Sequence, residues 1–256
     1  WVKLYEEPGL HKRFGTAFRV HQERTALFGP FGVRWLLRHF VRVLFKWVFK
    51  LKVEGVENVP REGPVLLVSD HLCYLDFIFA QYGPRPVTIP VTAEVFRKPL
   101  SRVFLRLLRG VPVRRFVSDP AGALALADEL RSGGTVGIAV EGERAWTGEM
   151  ALPAPNVVRN VIELVQPGYP IIPVAFVGGY SLWPRWADRP ARSTQITLRM
   201  GQPFHLKDEL ADFEGGLQEK IEATTQLIRD KIYALRDPNT NSVNIGTFSK
   251  ARPELV

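Results

Sequence analysis

From residue 52 onward, short apolar runs alternate with helical stretches, and this alternation leaves the chain few folds to choose from. Val65 to Ser69 is a brief, nearly continuous apolar run, the pattern of a strand buried on both faces. Val87 to Val91, Thr135 to Val140 and Ile171 to Val177 repeat it, the last interrupted by Pro173. Gln195 to Met200 alternates as a strand, and Val111 to Val113 reads as extended. Between these runs Leu75 to Gln81, Leu100 to Leu108, Ala121 to Arg131 and Asn156 to Val165 read as helices, the third ended by Ser132-Gly133-Gly134. Glu214 to Arg236 reads as a long amphipathic helix, and Gly178 to Ser193, rich in Gly, Pro and Trp, as a loop or insertion. Strands alternating with helices predict an α/β fold, with a mixed, largely parallel sheet covered by helices on both faces.

Residues 15–51 follow another rule. Phe, Trp, Leu and Val dominate them, and Arg34, Arg38, Arg42, Lys46 and Lys50 interrupt the run every four residues. On a helix that spacing draws one slowly drifting basic stripe beside a wide apolar, aromatic arc. Such a helix is too charged for a simple bilayer span and reads as one lying in the interface, with its cations on anionic headgroups. Gly29-Pro30 separates it from an earlier helix near residues 16–28. The chain thus divides into N-terminal amphipathic helices (1–51), an α/β domain (52–236) and a polar tail (237–256).

The formal net charge of +8 favours an anionic partner. The basic residues interleave with apolar ones rather than lining a polar groove, so the expected partner is a membrane surface with anionic lipids and not nucleic acid. Cys73 is the one cysteine, which excludes an intrachain disulfide and a thiolate metal cluster. No metal site is expected.

The residues that carry chemistry begin at Ser69-Asp70-His71-Leu72-Cys73-Tyr74-Leu75-Asp76, between a predicted strand and a predicted helix. Five positions apart on one helix, His71 and Asp76 would lie on different faces. They can meet only with His71 in the loop and Asp76 near the helix start. A carboxylate beside an imidazole fixes its tautomer and stabilises the imidazolium, so that the ring can take a proton from an attacking hydroxyl. That spacing alone is a weak signal; further blocks downstream strengthen it.

In order, those blocks are Gly110-Val111-Pro112-Val113-Arg114-Arg115, then Ala139-Val140-Glu141-Gly142-Glu143-Arg144-Ala145, then Ile171-Ile172-Pro173-Val174. Together with His71 and Asp76 they resemble the glycerophospholipid acyltransferase family, which includes the 1-acylglycerol-3-phosphate acyltransferases. The family's blocks read Asn-His-x-Ser-x-x-Asp, an Arg after a Gly and an apolar strand, Phe-Pro-Glu-Gly-Thr-Arg-Ser, and an apolar strand with a central Pro. The likeness runs from about residue 52 to 205. Asp70, Cys73 and Glu143 depart from the family's Asn, Ser and Thr, and Val140 and Ala145 from its Pro and Ser. Cys73, matching a Ser that is not a nucleophile in the family, is read as a small packed side chain.

The resemblance implies catalysis by His71 and Asp76. It implies substrate binding by Arg114, Arg115, Glu141, Gly142, Arg144 and Pro173. It implies transfer of a fatty acyl group from acyl-CoA or acyl carrier protein to a lysophosphatidic acid or a related glycerol phosphate lipid. The thioester donor is a substrate, and no cofactor is expected. Such an enzyme would work at the cytoplasmic face of the cell membrane, peripherally or as a monotopic protein. The added acid at 143 points to an alternative, an acceptor other than a phosphate. A non-catalytic lipid-binding protein on the same fold is the other alternative.

Overall fold

The computed structural model describes residues 30–114, 117, 119–165, 168–191 and 195–236. The expected helix over 16–28, the tail over 237–256 and Arg115 lie outside the described residues. Among the described residues, seven strands form one sheet: β1 (Lys52–Glu54), β2 (Val65–Ser69), β3 (Val87–Thr92), β4 (Gly110–Val113), β5 (Thr135–Ala139), β6 (Ile171–Val177) and β7 (Thr197–Met200). Their spatial order is β1-β7-β6-β2-β5-β3-β4. Neighbours pair in parallel except β6 and β7, which are antiparallel, so β7 and β1 run against the others. The fold is therefore α/β with a mixed, largely parallel sheet.

The continuous apolar runs sit where that pattern demands. In β2 Leu66 and Val68 enter one core cluster while Val65 and Leu67 enter the other, so the strand is buried on both faces. One face is covered by α4 (Pro120–Arg131), α5 (Pro155–Val165) and α8 (Leu217–Arg236). Along α5 the buried residues are Val158, Val161, Ile162 and Val165, the i, i+3, i+4, i+7 stripe of a helix docked by one face. Asp119 caps α4, accepting the Gly122 N–H at 3.1 Å, with Pro120 in the first turn.

The other face meets α1 (Pro30–Val48), the short α2 (Asp76–Phe79) and α3 (Pro99–Leu107) through a smaller cluster of Val41, Ile78 and Leu108. Here one cation of the expected basic stripe faces the domain. Arg42 turns toward the domain and donates to the carbonyls of Tyr82 (2.6 Å) and Gly83 (2.7 Å), while the Tyr82 hydroxyl donates back to the Arg42 carbonyl. The outward face carries apolar residues: Leu36, Phe40, Val43, Leu44, Trp47 and Val48. Lys46 and Lys50 flank them, both exposed. Among the described residues no helix is long and apolar enough to cross a membrane.

Smaller differences follow from local chemistry. The expected helix over 75–81 is a single α-turn continued by a tighter 3-10 turn, Ala80–Tyr82. The loop after β6 contains a short helix, α6 (Gly179–Leu182), and α7 (Leu206–Glu209) precedes the last helix. Pro173 lies inside the sheet. It stands opposite Val68 of β2, and its carbonyl accepts the Gly201 N–H at 2.8 Å where the β6–β7 ladder ends.

Candidate active site

His71, Glu141 and Gly178 all follow the carboxyl ends of the three central strands β2, β5 and β6, the edge where open α/β sheets place their sites. His71 occupies the loop after β2, and Asp76 is the first residue of α2. The geometry required by their spacing is the one observed: His71 Nδ1 lies 2.9 Å from Asp76 Oδ2. The same oxygen accepts the N–H groups of Leu72 (2.7 Å) and Cys73 (2.9 Å). Its partner oxygen receives the Cys73 thiol at 3.0 Å. Asp76 is thus both ligand of the ring and organiser of the turn that carries it. Its side chain is 6% exposed while that of His71 is 30% exposed, so the acid is sheltered and the base can be approached. An imidazole whose Nδ1–H is held this way offers Nε2 as a proton acceptor.

The His71 peptide is gripped from the loop after β5. Its N–H points to Glu141 Oε1 at 3.4 Å and its carbonyl accepts the Ala145 N–H at 2.8 Å. Glu141 is buried, and among the described residues its Oε2 has no hydrogen-bond partner. Burial first, and the neighbouring Asp70 second, push its carboxyl up to about 8. Gly142 follows in the left-handed region with φ +73°, which a residue bearing a Cβ adopts only at a cost. Glu141 thus faces the His71 peptide and Gly142 shapes the turn.

Arg144 stacks on Tyr74, its guanidinium carbon 3.3 Å from the ring centroid, and its buried Nη1 has no hydrogen-bond partner among the described residues. Glu143, the added acid, is engaged elsewhere. Arg185 donates to it at 2.8 Å and lies 3.8 Å from the Trp146 ring centroid. Arg114 is at the correct edge of the sheet but far along it. Three spacings of about 4.8 Å separate β4 from β2, which puts Arg114 about 14 Å from the histidine loop. Pro173 sits three rungs before His71 in the parallel register, inside the sheet and not beside the imidazole. Among the described residues no cluster of three His, Cys, Asp or Glu side chains is placed to hold a metal.

Asp70, next to His71, and Arg236, which faces it, were given no role by the sequence reading. Asp70 is fully buried. Its Oδ1 accepts the Phe176 N–H at 3.1 Å, and its Oδ2 faces Arg236 Nε at 3.8 Å. Burial, reinforced by the charge of Asp76, pushes its carboxyl up to about 7. Arg236 closes the last helix, and no local pattern links it to residue 70. The departure of Asp70 from the family's Asn was the one available signal. Cys73, also buried, has its thiol pushed well up by burial and by Asp76, so it is no ready nucleophile.

A family model described as Acyltransferase matches residues 50–177. No curated protein matches the chain. Among solved structures the chain is similar to the 1-acyl-sn-glycerophosphate (LPA) acyltransferase PlsC from Thermotoga maritima. The TM-score is 0.62 at 18% identity, and the match covers 91% of this chain and 94% of that one. At that identity the likeness is one of fold.

Proposed function

Because this chain belongs to the acyltransferase family, whose match takes in His71, Asp76, Glu141 and Arg144, we propose that it moves a fatty acyl group from a thioester donor, acyl-CoA or acyl carrier protein, to the free hydroxyl of a lysophosphatidic acid or a related glycerol phosphate lipid. The observation that carries this is the sheltered Asp76 carboxylate on Nδ1 of a half-exposed His71. His71 Nε2 takes the proton of the acceptor hydroxyl as its oxygen attacks the thioester carbonyl. The carbon–sulfur bond then breaks, the new ester forms, and the proton passes to the departing thiolate. No electron acceptor and no resident cofactor enter this balance.

Arg144 is the proposed ligand of the acceptor's phosphate. Its ring-stacked guanidinium keeps a buried donor free, and planar guanidinium groups bind phosphate by paired, charge-assisted hydrogen bonds. Glu143 does not oppose this, since Arg185 neutralises it. Arg114, farther along the sheet, is proposed to meet a more remote part of a long substrate. The outward apolar face of α1, with Lys46 and Lys50, fits the interface of an anionic membrane, where both acceptor and acyl chains are found. The acceptor named for the Thermotoga protein, 1-acyl-sn-glycerophosphate, is the first to try. Radiolabelled transfer from acyl-CoA to lysophosphatidic acid should be measurable for the wild type. It should fall by about 10²–10⁴ in His71→Ala, the usual worth of a general base. Undiminished transfer by His71→Ala defeats the mechanism.

A further inference from the structure

The loop that carries His71 is flanked by two buried carboxyl groups. Asp70 immediately precedes the histidine, and Glu141 accepts its N–H. Asp70 accepts the N–H of Phe176, and Glu141 accepts that of His71, with a further backbone hydrogen bond from Ala151. Asp70 Oδ2 and Glu141 Oε2 are buried and make no close hydrogen bond among the described residues. Asp76 adds a third acid on the side of α2. Two buried carboxylates around one peptide repel each other and lose hydration, so such a pair needs a counter-charge or a proton.

A counter-charge is present. Arg236, in the last turn of α8, brings Nε to 3.8 Å from Asp70 Oδ2, and its Nη2 is anchored on the Gly148 carbonyl at 2.7 Å. Its guanidinium also lies 5.6 Å from the Tyr233 ring centroid, and its Nη1 is buried without a partner among the described residues. It lowers the proton affinity of both Asp70 and Glu141, against the burial that raises them. The charged groups that act on Asp70 are therefore Arg236 from α8, Glu141 from the loop after β5 and Asp76 from α2. Arg236 lies well outside the matched region 50–177.

We propose that Arg236 is a positioning residue for His71: as counter-ion to the buried Asp70, it keeps the Asp70 and Glu141 carboxyls together around the His71 peptide, and so keeps the imidazole on Asp76. The inference rests on the acyl-transfer reading for its catalytic consequence, and on geometry alone for its structural one. It also accounts for two features at once. Asp70 stands where the resembled family has an uncharged Asn, and a cation from the last helix sits against that substitution.

Removing the cation should matter most where Asp70 would be ionised. For Arg236→Met, kcat for transfer to lysophosphatidic acid should fall about tenfold or more below wild type at pH 8.5, yet stay within about threefold at pH 6, where the carboxyls hold their protons. KM should change little, since the contacts of Arg236 are to Asp70, Gly148 and Tyr233 and its effect on catalysis passes through Asp70. Arg236→Lys should recover most of the loss. In the double variant Asp70→Asn/Arg236→Met the buried charge is gone, so activity at both pH values should return to within about threefold of Asp70→Asn alone. Thermal melts of each variant exclude simple unfolding. A second readout needs no turnover. The downfield proton resonance of the His71 Nδ1–H bond should be present in wild type at pH 8.5, broadened away in Arg236→Met, and restored in the double variant. An Arg236→Met pH profile parallel to wild type, or a loss that Asp70→Asn does not relieve, overturns the proposal. Should the wild type transfer no acyl group, the acyl-transfer reading falls, and the His71 resonance alone decides the role of Arg236.

Discussion

Asp76 takes hydrogen bonds from the His71 ring, from the Leu72 and Cys73 N–H groups and from the Cys73 thiol. A carboxamide cannot do the same, because one of its two heavy atoms is a donor. Asp76→Asn should therefore cost kcat about 10²–10⁴ and lower the melting temperature as well, since the turn loses acceptors that are buried. Cys73→Ser makes the opposite prediction. A hydroxyl can donate to Asp76 as the thiol does, so transfer should remain within about threefold of wild type. The protein should still acylate its acceptor after iodoacetamide treatment. Loss of transfer in Cys73→Ser at unchanged melting temperature would revive a thiol carrier, and retained kcat in Asp76→Asn would remove the acid from the mechanism. At this scale the His71–Asp76 pair was legible in the sequence, because a strand-to-helix junction leaves a five-residue spacing one way to close. Asp70 and Arg236 were not, because they meet only through the packing of α8 onto β6, and nothing in either neighbourhood marks the other.

Among the elements, the strands buried on both faces announced themselves, and of the two edge strands β4 was legible and β1 was not. β2, β5 and β6 are mostly apolar and buried along nearly their whole length, because the sheet is covered on both sides there. β1 has three residues, Lys52-Val53-Glu54, at the sheet edge, and so short and polar a segment carries no readable period. In α1 the four-residue spacing of cations correctly indicates a helix but not which face turns inward. Val41, Phe45 and Arg42 face the domain, with Arg42 satisfied by two carbonyls. This separates two roles within one helix. Arg42→Met strands those carbonyls and should destabilise the protein by about 1–3 kcal/mol, read from denaturant midpoints. Phe40→Ser with Trp47→Ser removes exposed aromatic surface and should leave stability unchanged. Binding of that double variant to phosphatidylglycerol vesicles, followed by co-sedimentation, should weaken by about 100-fold if each ring contributes about 1.4 kcal/mol of interfacial burial. Equal binding by wild type and the aromatic variant would place the membrane contact elsewhere.

For the molecule as a whole, the consequence of seating a histidine loop on buried acids is a stability that depends on pH. Asp70 and Glu141 reach about 7 and about 8 in the folded protein, against about 3.9 and 4.3 for the unfolded chain. Between those limits the folded state holds protons that the unfolded state has released. Stability must then fall as pH rises through this window, by up to about 1.4 kcal/mol per pH unit for each group. Below about pH 4 both states are protonated and the penalty vanishes; above about pH 8 it is complete. The melting temperature should accordingly decline from pH 5 to pH 8.5. Glu141→Gln keeps an oxygen for the His71 N–H but cannot ionise, so its decline should be shallower than that of wild type in parallel melts. A slope unchanged by this substitution would show that Glu141 is ionised without penalty. The grip on His71 would then rest on hydrogen-bond geometry alone, not on a carboxyl that burial keeps neutral. Asp70 is the remaining titrating group, and through it the tolerance of the fold to alkali depends on Arg236, at the far end of the last helix.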